Sequence, residues 1–174
     1  MQMRAIAARA GMTDAGVAHH FGNRDNLLRE LLRYGGRRLR AAVQEMLETW
    51  LKDGANLVEL VEVLAALYRQ GYSELAVALH AAGWRDRGSG LLDPLVEALH
   101  ALRPAGASVE DTRLAVAALH QAIALEPLYG SAFRRSAGFT QAEANRPDAQ
   151  LRWWARQLLL TLGLDTPATY ALSE

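Results

Sequence analysis

The sequence contains no cysteine, which excludes disulfide bridges, cysteine-ligated zinc, iron–sulfur clusters and thiol catalysis. Proline is scarce, at five residues in 174, and alternating apolar and polar runs of the strand type are absent. No stretch of 18 apolar residues occurs, so no membrane-spanning helix is expected. The opening residues Met1 to Ile6 lack the apolar stretch of a signal peptide, and the default location is the cytoplasm. The motifs H-E-x-x-H and G-x-S-x-G and a phosphate-cradling glycine loop are missing as well. Glu97 and His100 make a single E-x-x-H pair, whereas carboxylate-bridged di-iron bundles need two such pairs and two further Glu. Neither catalysis nor a resident metal or cofactor is expected.

What the chain does have is apolar bulk and helix formers. Apolar residues make up 51% and charged residues 22%, with 32 alanines, a balance that favours a folded helical protein. The zero net charge hides a division. Residues 1–40 carry eight Arg against Asp14, Asp25 and Glu30, and the remainder carries eleven basic against sixteen acidic side chains. A basic end on an acidic body suits a head that meets a polyanion, although an excess of five also fits an ordinary solvated face.

Cap residues divide the chain into helices. A short one over 3–10 stops at Gly11, and Thr13 caps a second that carries Val17, His20 and Phe21 on one face. Asn23 caps a long helix whose apolar stripe runs from Leu27 to Leu47 and stops at Asp53-Gly54; the doublet Gly35-Gly36 is a place where it could bend. Asn56 with Glu59 forms a capping-box pattern ahead of 57–69, and Ser73 begins a helix that ends by Gly83. Asp93-Pro94 has the form of an N-cap followed by Pro at the first helical position, opening a helix to Leu102. Ser108 with Asp111 opens a longer one, expected to be ended or kinked at Pro127. Residues 137–147 read as a loop, and Asp148 as the cap of a final helix to Leu162. The fold class is therefore all-α: a short head over 1–33, joined by a long helix to a larger helical domain over 34–174.

The join Ala10-Gly11-Met12-Thr13 is informative. Two helices that cross at ~90–120° need a residue without a side chain in the turn, which Gly11 supplies, and the small Ala7 and Ala10 permit close approach. Ile6-Ala-Ala-Arg-Ala-Gly-Met-Thr13, followed by Val17-Ala-His-His-Phe-Gly-Asn-Arg-Asp-Asn-Leu-Leu28, resembles the DNA-binding segment of TetR-family transcriptional regulators in both spacing and residue class. The resemblance covers residues 3–32, and beyond it extends only to an all-helical body closed by two long helices.

Several expectations follow from the resemblance. It implies a DNA-binding transcriptional regulator, more often a repressor, that acts as a homodimer, answers a small-molecule effector and is not an enzyme. Family members begin with a helix of about 20 residues packed behind the helix-turn-helix; this sequence opens at what would be the second helix, so the head is expected to be incomplete. Arg24 stands where the family places a phosphate-contacting Lys. Arg4, Thr13, Asp14, Ala15, Ala18, His19 and His20 complete the expected DNA-binding set, although the spacing of His20 from Val17 puts that ring on the core side. Ala18 occupies the position of an aromatic that touches the DNA backbone, and Asp14 adds a negative charge there. The missing first helix favours an alternative, a small-molecule-binding or dimeric interaction module that no longer reads DNA, and the basic head disfavours it. A helical di-metal oxidase would require metal.

The body supplies two more sets. Tyr68, Trp84, His120, Glu126 and Tyr129 are the expected lining of an effector cavity, in the manner of a mainly apolar pocket with a few polar groups. Residues 55–130 contain only Arg69, Arg85, Arg87, Arg103 and Arg113 as cations, which predicts an apolar, neutral or weakly cationic effector that is not strongly anionic. Leu151, Trp154, Leu158 and Leu162 on the last helix, with Leu114, Ala118 and Leu125 on the preceding long one, are the expected dimer interface. Trp153 and Trp154 lie ~100° apart on a helix, so one should enter the chain's core and the other the interface.

Overall fold

The computed structural model describes residues 3–53, 56–83 and 90–164. Every element among them is helical. α1 (Met3–Arg9) and α2 (Asp14–Phe21) form the head, and α3 (Arg24–Lys52) leads out of it. The body consists of α4 (Leu57–Leu67), α5 (Ser73–Ala81), α6 (Asp93–Ala101), α7 (Val109–Ser136), α8 (Gln141–Ala144) and α9 (Asp148–Leu162).

Caps formed by the expected residues set most of the starts. The Thr13 hydroxyl accepts from the Gly16 amide at 3.0 Å, and the Asn23 side chain from that of Asn26 at 2.9 Å. Asn56 accepts from Val58 and Glu59, and Ser108 from Asp111. Between α1 and α2, Gly11 adopts φ 65°, the left-handed conformation that a side chain disfavours. α3 passes through Gly35-Gly36 without interruption, and the doublet serves packing instead of bending. A Cβ at Gly35 would fall 2.7 Å from a methyl of Leu75, so α3 and α5 approach too closely there for a side chain unless Leu75 moves.

Two departures concern α7 and its surroundings. The helix runs through Pro127 to Ser136 instead of ending near Glu126. Pro127 offers no N–H to the Ile123 carbonyl, a loss usually costing ~3 kcal/mol in a helix interior. Here the helix is held from both sides: Ile123 is fully buried, and the Ser73 hydroxyl donates to the Ala124 carbonyl at 2.7 Å. The segment 137–147 also contains a helical turn, α8, closed by a capping box between Thr140 and Glu143. α6 and α9 begin one residue earlier than their expected caps suggest, with Asp93 and Asp148 inside the first turn, where their charge complements the helix dipole.

Two apolar clusters result. The smaller joins Ala7, Val17 and Leu27, with Phe21 against it, and is the core of the head. The larger is built from Val43, Leu47 and Trp50 of α3, Leu60, Val61 and Leu64 of α4, Leu95 and Leu99 of α6, Val116 and Ile123 of α7, and Leu151, Ala155, Leu158 and Leu162 of α9. Arg103 donates to the carbonyls of Leu162 and Ser108 and to the Thr112 hydroxyl, tying the end of α6 to α7 and α9.

Glu126 is held by a buried ion pair. Its carboxylate meets the Arg134 guanidinium at 2.9 Å, with 7% and 8% of the two side chains exposed. Gly130 leaves the space across which the carboxylate lies, and Arg134 also donates to the Ala144 carbonyl at 2.8 Å and to the Gln150 side chain. The pair thus fastens α7 to α8 and α9. Removing one member leaves the other charge buried, so Arg134→Met should lower unfolding stability in urea by ~3 kcal/mol or more, and adding Glu126→Leu should restore much of the loss.

Candidate functional site

The helix-turn-helix geometry places a set of side chains on one surface. On α2, Val17 turns inward, whereas Asp14, Ala15, Ala18 and His19 are exposed, together with the cap Thr13. His20, expected on the core side, is exposed too: Val17 and Phe21 supply that face of α2, and the His20 ring stands 5.8 Å from that of His19. Arg4 near the start of α1 and Arg24 at the first position of α3 are both exposed. All eight residues of the expected DNA-binding set therefore lie on the head, exposed.

Within the body, α3, α5 and α7 border a half-open cavity of about 300 Å³. Its walls are Leu39, Ala76, Leu79, Leu91 and Ala124, and its polar groups are Arg40, Tyr68, His80 and His120. The Tyr68 hydroxyl lies 2.6 Å from His120 Nε2, so two of the five expected lining residues meet directly. Burial acts alike on both, lowering the His120 pKa and pushing that of Tyr68 up to about 12, and the pair shares one proton as neutral partners at pH 7.

Tyr68 continues α4 with helical backbone angles, and the chain breaks just after it. The backbone leaves helical geometry at Gln70 and Gly71, where α4 gives way to α5, and Gly71 takes φ 95°. Gly71 is the residue that permits this turn. The turn was not foreseeable from periodicity, since the apolar pattern of 57–81 reads as two ordinary helices.

The other expected lining residues are elsewhere. Glu126 is engaged with Arg134 and does not reach the cavity. Tyr129 is exposed beside Phe133, with ring centroids 6.1 Å apart. Trp84 lies outside the described residues. Arg40, expected with Arg37 and Arg38 on a solvated face of the long helix, is instead half-buried and lines the cavity with Gly36 and Leu39. The i, i+3 and i+4 spacing of Gly36, Leu39 and Arg40 was the available signal.

A second hollow, of about 340 Å³, lies between α3 and α4, floored by Met46, Trp50, Val63 and Leu67 and rimmed by Glu45, Asp53 and Glu59. A shallow groove of about 270 Å³ between α7 and α9 is lined by Ala115, Ala118, Leu119, Ala122, Trp154, Gln157, Leu158 and Thr161. Around this groove the expected interface set divides. Leu151, Leu158 and Leu162 are buried in the chain's own core, which leaves little of them for a partner. Leu114 and Ala118 are exposed, Leu125 and Trp154 half-buried, and the exposed apolar residues Trp153 and Leu160 continue the same two-helix surface. The i, i+3, i+7 stripe of α9 was the inward face of the helix; a stripe of that kind does not say which of two apolar partners it meets.

Residues 1–31 match the family described as bacterial regulatory proteins, tetR family. The match supports membership of the TetR family. It supports, with it, a DNA-binding transcriptional regulator. No curated protein and no solved structure matches the chain significantly. Among the described residues no helix is long and apolar enough to cross a membrane, and no three His, Asp or Glu converge on a metal-sized site.

Titration of the Tyr68–His120 pair should be visible in stability. The folded state disfavours protonated His120, so the unfolded chain binds that proton more readily near pH 6.5. Stability should be full above that pH and fall as pH drops below it. At the other extreme, the raised pKa of Tyr68 stabilises the fold below pH 10, a contribution lost as pH rises towards 12. Urea denaturation of His120→Gln from pH 7.5 to 5 should show a flatter profile than the parent; an equal slope would mean that His120 does not titrate in this way.

Proposed function

We propose that the protein is a homodimeric, ligand-responsive transcriptional repressor, in which an effector in the cavity between α3, α5 and α7 sets the position of the DNA-binding head. The observation that carries this reading is the double role of α3: its first turn is part of the head, and Gly36, Leu39 and Arg40, three to four turns on, form one wall of the cavity. At ~1.5 Å per residue the helix is ~43 Å long, so a small tilt at the cavity is magnified at its head end. The tight contact of Gly35 with Leu75 is the fulcrum on the α5 side.

Repression by two heads requires fixed spacing. Two-fold half-sites lie ~34–36 Å apart, and a lever that changes the separation by a few ångströms takes the pair out of register with successive major grooves. In this reading the exposed Thr13, Ala15, Ala18, His19 and His20 would meet base edges, and the exposed Arg4 and Arg24 would meet phosphate. The exposed surface of α7 and α9 supports dimerisation through two helices from each chain. It has an apolar skin, with 51% of Trp153, 61% of Leu160 and 62% of Leu114 accessible, and the small Ala118 and Ala122 allow close approach.

A second reading, a dimeric ligand-binding module without operator recognition, has one observation in its favour. Asp14 is exposed in the first turn of α2, where an approaching phosphate would meet a negative charge. Fluorescence anisotropy with duplexes from the DNA flanking the gene separates the two. The repressor reading expects salt-dependent binding to a pseudo-palindromic site; Arg24→Ala should weaken it across sequences and reduce the salt slope by about 1, whereas His19→Ala should alter sequence preference. Binding that is absent for every duplex at low salt removes the repressor and leaves the module.

Dimerisation is checked independently. The wild-type chain should sediment as a dimer at micromolar concentration, burying ~1,600 Å² or more. Ala118→Arg places a charge on the exposed edge of the groove and should give monomers with unchanged helical circular dichroism. A wild-type monomer, or an Ala118→Arg dimer of undiminished strength, would contradict this assembly.

A further inference from the structure

We propose that the cavity between α3, α5 and α7 takes a ligand with a compact apolar body and a single negative charge, such as a carboxylate, with Arg40 as its counter-ion. The inference rests on the reading of this cavity as the effector site and adds the chemical class of the ligand.

The charge of the cavity points one way. Among the described lining residues there is no Asp or Glu, and their formal charge is that of Arg40, joined by the imidazoles of His80 and His120. Arg40 is half-buried and makes no hydrogen bond or ion pair with any described residue. The other two described arginines that are not exposed both find acceptors: Arg134 meets Glu126, and Arg103 donates to three groups. A guanidinium with five donors, set along Leu39, Leu79 and Leu91, is partly desolvated without compensation, and an anion supplies both charge and fork-shaped acceptor geometry.

Three further features narrow the class. One guanidinium balances one carboxylate, so a polyanion would remain under-compensated. The volume of about 300 Å³ is at the lower end of the ~300–1,000 Å³ typical of small-molecule sites, which fits a short aliphatic chain or a monocyclic aromatic body. Cationic ligands have a better place on the other side of α3, where Glu45, Asp53 and Glu59 rim an apolar floor. The expectation of a neutral or weakly cationic effector counted the arginines of residues 55–130, and Arg40 precedes that range. It is the fold that turns α3 so that a residue of the long helix enters the cavity, and an ion pair to Arg40 would therefore act directly on the helix that carries the head.

A matched series of eight-carbon probes tests the class: octanoate, octan-1-ol and octylamine, titrated calorimetrically into the full chain. Octanoate should bind at least about tenfold more tightly than either of the others. Arg40→Gln should abolish that preference while leaving octan-1-ol binding within about threefold of wild type, and Arg40→Lys should retain part of it. Ala76→Phe, which fills the cavity from α5, should remove octanoate binding in a chain whose circular dichroism remains helical. The charge assignment is overturned if octan-1-ol or octylamine binds the wild type as tightly as octanoate, or if Arg40→Gln keeps the preference. It is overturned equally if Ala76→Phe still binds octanoate, because the site is then elsewhere. Failure of all three probes to bind the wild type would overturn the effector-cavity reading itself.

Discussion

Leu27 belongs to the apolar cluster of the head and Val43, Leu47 and Trp50 to that of the body, and all four are on one uninterrupted helix. This sharing is the constraint on which the rest of the architecture depends. A sharp kink in a helix costs backbone hydrogen bonds, so much of a displacement imposed at one cluster is carried along its axis to the other. The C-terminal end is fixed firmly: Trp50 is buried and its indole N–H donates to the Asn56 carbonyl at 2.8 Å, while Asn56 itself caps α4. In its middle the helix packs closely on α5 through Gly35 and Leu75 and, beside that contact, borders a cavity.

The two polar pairs of the body serve different ends, although both are sequestered from water. Glu126 and Arg134 are fully charged and enclosed by further acceptors, which makes them a clamp between α7 and the final two helices. Tyr68 and His120 are neutral and open onto the cavity, so they present polarity there without the desolvation cost of an ion. The break at Gln70 and Gly71 turns the chain from α4 into α5, and Ser73, at the start of α5, bonds to the Ala124 carbonyl. Backbone irregularity, a proline-bearing helix and a cavity thus coincide at one level of the molecule.

The pattern of what could be read from the sequence follows from interaction range. Thr13, Asn23, Asn56 and Ser108 act on amides two or three residues away, and their caps were legible because the partner is fixed by the chain itself. Gly11 was legible for the same reason. Pro127 misled because local chemistry stops a helix, whereas here a buried Ile123 and a bond from α5 hold it together. Glu126 misled in the other direction: its partner Arg134 is on the same helix, eight residues on, yet the pairing requires the space at Gly130 and the carbonyl of Ala144. Leu151, Leu158 and Leu162 show an apolar stripe correctly, but an apolar stripe has no address, and these side chains met α4 and α7 before any second chain.

The same reasoning explains why the site and the surface separate so cleanly on α7. Residues 116, 119 and 123 point into the core, 120 and 124 into the cavity, and 114, 118 and 121 outward. A helix offers three such directions because its side chains advance by ~100° per residue. α7 is therefore packed on one side by the body, open to a ligand on a second and available to a partner on the third. A change in cavity occupancy that shifts α3 against α7 does so relative to the helix that carries the proposed interface. In a two-fold dimer, whose interface helices serve as the common reference, the movement of each head would then be expressed as a change in their separation and not as independent wobble of two chains.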